Sequence, residues 1–361
     1  MASSIKPVTI SVPDTKMETL KAKLSQATFP DQLPMSESWI MGFPFPISSG
    51  WFLVGNMALT GGPRRPGSFL EVTKILPLLT NPTGGPSFNV VAPSLPNFGF
   101  SGAPRKPGFG IAQYAECVHK LMIKLGYSKY VTQGGDWGYA VLRTVAFLYP
   151  DHNLATHLNY VRANPPTLLK NPPLYLQSLL PMSSAEMAGL ERTKWFLTQG
   201  FGYNVEQTTR PSTIGAALAD SPVATLAWIY EKLHDWTDSY PWTDDEILTW
   251  VSVYWFSVAG PAASARIHYE AQNEHPHPRE DKRMMEWNGK VRLGLSYFPK
   301  DLLVFPKAYG RTLGPVIFEA VHEAGGHFAA WEKPEVLAGD LGKMFGSKGG
   351  VEVARVWKEA K

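Results

Sequence analysis

Lys129-Tyr130-Val131-Thr132-Gln133-Gly134-Gly135-Asp136-Trp137-Gly138 is the stretch on which the fold turns. Its first half is a β-branched strand pattern, and it runs into glycines on both sides of an aspartate. Tyr139-Ala140-Val141-Leu142-Arg143-Thr144-Val145-Ala146-Phe147 then reads as a helix. Strand, glycine-flanked turn and helix form a nucleophile elbow, in which small neighbours let one reactive side chain sit on a strained turn.

The elbow residue is aspartate where serine is common, and this changes the chemistry. A carboxylate with a reference pKa near ~4 is ionised at neutral pH and needs no base to attack. Attack on an sp3 carbon leaves an alkyl ester on the protein, which a histidine-activated water can hydrolyse. The substrates implied are epoxides or alkyl halides, not carboxylic esters.

Such a cycle needs a base and an acid to orient it. His327, in Gly325-Gly326-His327-Phe328-Ala329-Ala330, follows the last strand expected and precedes the last helix. Asp301, in Phe298-Pro299-Lys300-Asp301-Leu302-Leu303, follows the strand before it. Nucleophile, acid, histidine is the chain order of one known triad arrangement. His322 is the competing base. His322 and His327 are five positions apart, not the four of a zinc-protease helix, so no metal site is read there. His275-Pro276-His277-Pro278 reads as a solvated loop.

Outward from these motifs the chain alternates strands and helices. Val8–Val12 is a short strand and Asp14 opens a helix; a helix start at Gly67–Val72 leads to Leu76. Phe88–Pro93 reads as a buried strand, Ile111–Leu125 as a helix, and Thr156–Val161, Val291–Tyr297 and Gly314–Val321 as strands, with a closing helix over Pro334–Phe345. That alternation predicts a mostly parallel α/β sheet with helices on both faces. From about Asn164 to Arg283 the rhythm breaks into helices with proline-rich joints, which predicts an inserted lid. The expected divisions are an N-terminal meander and atypical junction (1–62), a first core part (63–163), the lid (164–283) and a second core part (284–361).

Composition narrows the class. Of 361 residues 44% are apolar, enough for one large α/β domain with an insertion. Twelve Trp, fourteen Tyr and eighteen Phe suit an apolar ligand cavity as well as a core. A net charge of +3 without a basic, aromatic-laced cluster argues against nucleic acid as partner. The single cysteine, Cys117, reads as a small buried hydrophobe and forbids any disulfide within the chain. No signal peptide or membrane anchor is read, so the expectation is a soluble cytoplasmic protein. A homodimer is left open.

With these motifs in hand, the chain resembles the fungal, microsomal-type epoxide hydrolases of the α/β-hydrolase superfamily. The likeness covers residues 5–33, the meander, and Pro66 to about Phe345. It rests on the Asp136 and His327 motifs and on two lid segments, Gly202-Tyr203-Asn204-Val205-Glu206-Gln207-Thr208-Thr209-Arg210-Pro211 and Ser264-Ala265-Arg266-Ile267-His268-Tyr269. The resemblance implies that Tyr203 and Tyr269 hold the oxirane oxygen. Phenols with pKa near ~10 stay protonated at neutral pH and can serve a leaving alkoxide; Tyr254 is the rival and reads as lid core. It also implies a small apolar epoxide and water as reactants, no cofactor and no metal.

One element departs from the pattern. The family's His-Gly-x-Pro turn supplies one oxyanion N–H, the residue after the nucleophile the other. Here the turn reads Pro63-Arg64-Arg65-Pro66, leaving the Trp137 amide and, if the turn keeps its shape, that of Arg65. Trp39–Gly62 resembles none of the first core strands, as though exons were joined atypically or the chain had diverged. Loss of one oxyanion donor costs about 10²–10³ in rate, so impaired hydrolysis is part of the expectation. The alternatives are a non-catalytic relic that binds an apolar ligand and, less favoured, a haloalkane dehalogenase using Trp137 for halide.

Overall fold

The β-branched run ahead of the glycines is a strand, β1 (Tyr130–Gly134), in a parallel sheet completed by β2 (Asn153–Leu158), β3 (Arg292–Tyr297) and β4 (Val316–Val321). The structure is a computed structural model that describes residues 11–28, 68–273 and 283–346. Among them the strand order is β1-β2-β3-β4, every neighbouring pair parallel. Parallel neighbours need a crossover, and helices supply each one.

In chain order the helices are α1 (Asp14–Ser25), α2 (Leu76–Thr80), α3 (Ile111–Lys124) and α4 (Asp136–Leu148). Between β2 and β3 come α5 (Pro172–Ser178), α6 (Ser184–Trp195), α7 (Gly202–Thr209), α8 (Pro211–Asp220), α9 (Pro222–Asp235), α10 (Asp244–Trp255) and α11 (Arg266–Gln272). Last are α12 (Lys307–Gly310), α13 (Ala329–Glu332) and α14 (Pro334–Phe345). Prolines open α5, α8, α9 and α14 because a missing N–H costs nothing in a first turn. The helical stretch expected between about Asn164 and Arg283 is thus one long β2-to-β3 crossover.

The core joins both parts. Val141 and Val145 of α4, Leu158 of β2 and Leu295 of β3 share one apolar cluster with Leu233 and Trp250 of the insertion. On the other face Leu337, Leu341 and Met344 of α14 pack with Ala155 and Phe298. Arg143, 1% exposed, ties α4 down by donating to the carbonyls of Met284, Glu286 and Leu313.

Three sequence expectations need correction, and four more lie wholly or largely outside the described residues. Phe88–Pro93 joins no ladder among the described residues; the Phe88 N–H goes to Leu79 O, and without a neighbouring strand the run stays extended and unpaired. The strand expected at Thr156–Val161 begins and ends earlier, because its register with β1 pairs Tyr130 with Asn153 and Gly134 with Leu158. Cys117 is exposed: α3 turns Ile111, Tyr114 and Ala115 inward, and Cys117 falls off that stripe. The Val8–Val12 strand lies largely, and Trp39–Gly62, the Pro63–Pro66 turn with Arg65, and His275–Pro278 entirely, outside the described residues.

Candidate active site

Asp136, Asp301 and His327 come from three different connections but leave the sheet on one side, at the carboxyl ends of β1, β3 and β4, where open α/β sheets bind ligands. Asp136 is the first residue of α4 and has φ of 44°. Aspartate tolerates this left-handed region better than most side chains, but it is a strained position. The two glycines before Asp136 sit in close quarters. A Cβ on Gly134 would stand 2.8 Å from Leu142 Cδ1 and 3.2 Å from the Gly138 backbone; one on Gly135 would stand 3.0 Å from Asn159 Oδ1.

The loops carrying Asp301 and His327 are stitched together by a lone parallel bridge, Lys300 to Gly326, with Lys300 N donating to Gly325 O at 3.0 Å. His327 Nδ1 then meets Asp301 Oδ1 at 2.6 Å, and the same oxygen accepts the Leu302 N–H at 2.7 Å. On the ring's other side Nε2 lies 2.9 Å from Asp136 Oδ2. All three side chains are almost wholly buried. Burial works against a charged imidazole, but the Asp301 and Asp136 carboxylates outweigh it and raise His327 from 6.5 to about 9.

The helical insertion closes the site from above. Trp236, after α9, packs edge-on against the His327 ring at 5.4 Å and tilted against Tyr203 of α7 at 5.2 Å, and its carbonyl accepts the His327 N–H at 2.7 Å. Tyr203 is 5% exposed, and the Lys232 ammonium sits over its ring at 5.2 Å. The structure brings Asp136, Trp137, Asp301, His327 and Tyr203 into one buried cluster. It does not bring Tyr269, which is 41% exposed on the outer side of α11. Consecutive helical residues point about 100° apart, and His268 takes the inner position, edge-on to both Trp137 and Tyr203. Ser264, in the turn before α11, Ile267 and His268 are all buried on this inner side. His322 is held elsewhere, by Asp340 at 2.7 Å, and Tyr254 is buried in the insertion's packing.

The sequence reading missed three carboxyl groups around the base loop and elbow. Glu332 accepts the Gly326 N–H at 2.8 Å and the Asp238 N–H at 2.9 Å; Asp238 accepts the Gly325 N–H at 2.8 Å. Burial, opposed by those two N–H groups, lifts Glu332 from 4.5 to about 7. Glu71 is buried beneath the elbow, and burial, with the Asp136 charge adding, holds its carboxyl well above the usual range although the Ser68 N–H opposes. Among the described residues no group of three or more His, Cys, Asp or Glu is placed to hold a metal ion, and no helix is long and apolar enough to cross a membrane.

Comparison with known proteins decides the family. The structure superposes on that of the Aspergillus niger epoxide hydrolase with a TM-score of 0.73 and 30% identity, covering 94% of this chain and 95% of that one. The chain belongs to the epoxide hydrolase family. The α/β-hydrolase-fold family model matches residues 60–177. Among curated epoxide hydrolases, epoxide hydrolase 1 of Oryctolagus cuniculus is 35% identical over 78% of this chain and 66% of its own length. A Stigmatella aurantiaca protein with a provisional epoxide hydrolase name is 39% identical over 78% of this chain and 62% of its own. The chain therefore spans a little under two thirds of the length of these curated relatives. Its fold is the α/β-hydrolase fold that the sequence implied.

Proposed function

We propose that this chain hydrolyses a small apolar epoxide to a vicinal diol through an ester on Asp136. The observation that carries the reading is the buried row Asp301–His327–Asp136, with contacts of 2.6 and 2.9 Å, beneath a tyrosine supplied by the helical insertion. Residues of the 164–283 stretch then act as a lid over the reacting carbon.

Asp136 Oδ attacks an oxirane carbon; that C–O bond forms as the ring C–O bond breaks, and the freed alkoxide takes the Tyr203 phenol proton. His327, resting protonated near neutral pH with a value of about 9, returns a proton to the phenoxide and is left neutral. Tyr203 and His327 both pack against the Trp236 indole. Neutral His327 next takes a proton from water, and the hydroxide adds to the ester carbonyl. The resulting oxyanion faces the N-terminus of α4, where Trp137, directly after Asp136, contributes a first-turn N–H. Collapse releases the diol and restores the Asp136–His327 pair. Ring opening consumes one proton and hydrolysis returns one, so the cycle runs without net exchange with solvent. The Arg65 amide, outside the described residues, joins as second oxyanion donor only if the Pro63–Pro66 turn keeps the family's shape, and no cofactor enters the scheme.

The test is incubation with styrene oxide, following diol and intact protein mass in one tube. Diol over many turnovers in the wild type, with neither diol nor adduct in Asp136→Ala, is the expected result. A wild type that gives no diol and no adduct overturns the proposal and favours a ligand-binding relic. A wild-type adduct that persists with little diol means that alkylation survives while hydrolysis has failed, the outcome foreseen from the altered Pro63–Pro66 turn.

A further inference from the structure

We propose that His268, not Tyr269, is the lid's second hydrogen-bond donor to the oxirane oxygen, beside Tyr203. The proposal rests on the epoxide-hydrolysing reading above and assigns a residue that a tyrosine-based motif passes over.

Position comes first. His268 is 1% exposed on α11, whereas its neighbour Tyr269 is 41% exposed. The imidazole stands edge-on to Trp137, the residue after Asp136, at 5.1 Å and 87°, and edge-on to Tyr203 at 5.9 Å and 88°. It thus touches both the residue that follows the nucleophile and the ring-opening phenol.

The proton's location follows from a neighbour. Asn204, next to Tyr203 on α7, donates from Nδ2 to His268 Nδ1 at 3.2 Å. An accepting Nδ1 has no hydrogen, so the neutral ring must carry its proton on Nε2 and be a donor there. One helix, α7, therefore supplies the phenol and also fixes the tautomer of its companion. Packing alone does not call for this arrangement. Burying an imidazole costs desolvation that a leucine of similar size avoids.

The two donors differ in kind. A neutral imidazole N–H is a much weaker acid than a phenol, so His268 stabilises the developing alkoxide by a hydrogen bond while Tyr203 delivers the proton. Donors of this sort act on the step in which charge develops and not on the later ester hydrolysis. That separation provides the readout.

Single-turnover kinetics with styrene oxide, using intact mass for adduct formation and decay, test the assignment. In His268→Phe the alkylation rate falls about 100-fold, in the range for one lost oxyanion-type donor, and adduct decay stays within about threefold of wild type. His268→Gln, which keeps a side-chain N–H, recovers at least about tenfold of that loss, and Tyr269→Phe alkylates at the wild-type rate. Circular dichroism checks that each variant is folded, and His268→Gln carries the test if His268→Phe is not. Wild-type alkylation rates in both His268 variants, or a loss in Tyr269→Phe instead, overturn the assignment while the epoxide-hydrolysing reading stands. A wild type that never alkylates removes that reading, and the assignment with it.

Discussion

His327 Nε2 lies 2.9 Å from Asp136 Oδ2, so the proposed base and the carboxylate it later regenerates rest as a buried ion pair. Their charges are coupled: in the proposed cycle the ester on Asp136 removes one of the two carboxylates that hold His327 protonated, which frees the imidazole to act as base.

The coupling is measurable. Burial favours neutral His327, and Asp301 with Asp136 raises it from 6.5 to about 9. Asp136→Asn keeps the shape of the nucleophile and mimics its neutralised form. Titration of the His327 ring resonances by NMR should give a value clearly below about 9 in this variant. An unchanged value would mean that Asp301 alone sets the charge. The sign for stability follows: a raised histidine stabilises the fold fully below its unfolded value of 6.5, and that contribution fades as pH rises through about 9. Urea midpoints of the wild type relative to Asp136→Asn should therefore converge at high pH.

The origin of the diol oxygen separates covalent from direct attack. With enzyme in excess in oxygen-18 water, the first diol should carry an Asp136 oxygen and no label, while Asp136 itself becomes labelled. Mass spectrometry of the diol and of the Asp136 peptide reads both. Label in the first-turnover diol would mean that water attacks the epoxide directly. His327→Gln should accumulate the ester and lose about 10²–10⁴ of diol turnover, the usual worth of a positioned base.

Asp136, Asp301 and His327 were legible because each follows a strand in its own local setting, and a parallel sheet sends all strand ends to one side. A motif read letter by letter ignores helical phase: Tyr269 points outward, and His268, one residue earlier, takes the buried position. Asp238 and Glu332 were invisible because their meaning is a contact across 94 residues, from Asp238 N to Glu332 Oε2, that no local pattern encodes. Phe88–Pro93 has strand composition, but a strand also needs a partner ladder, and the described chain offers none.

Gly134 tests the packing of the elbow. A methyl at this position would meet Leu142 Cδ1 at 2.8 Å and the Gly138 backbone at 3.2 Å. The leucine can shift but the backbone cannot without moving Asp136. Gly134→Ala should lose about 1–3 kcal/mol in urea unfolding, as overpacked cores do, and should alkylate more slowly than its folded fraction explains. Wild-type stability and rate together would show that the elbow is looser than its contacts indicate.

Glu332 links the helical insertion to the His327 loop. Its two oxygens hold the N–H groups of Gly326, next to His327, and of Asp238, beyond Trp236. A carboxamide can accept only one of these and turns an NH₂ toward the other. Above about pH 7, where the carboxylate is ionised, Glu332→Gln should therefore slow adduct hydrolysis by roughly 10- to 100-fold, the worth of a charge-assisted hydrogen bond, and slow alkylation less. Because burial raises Glu332 to about 7, its favourable contribution is complete below 4.5 and is lost as pH rises through about 7. The stability of the wild type relative to Glu332→Gln should fall across that interval and level off above it. A difference that stays flat with pH would place an ionised carboxylate there throughout, and the two N–H groups would then outweigh the cost of burial.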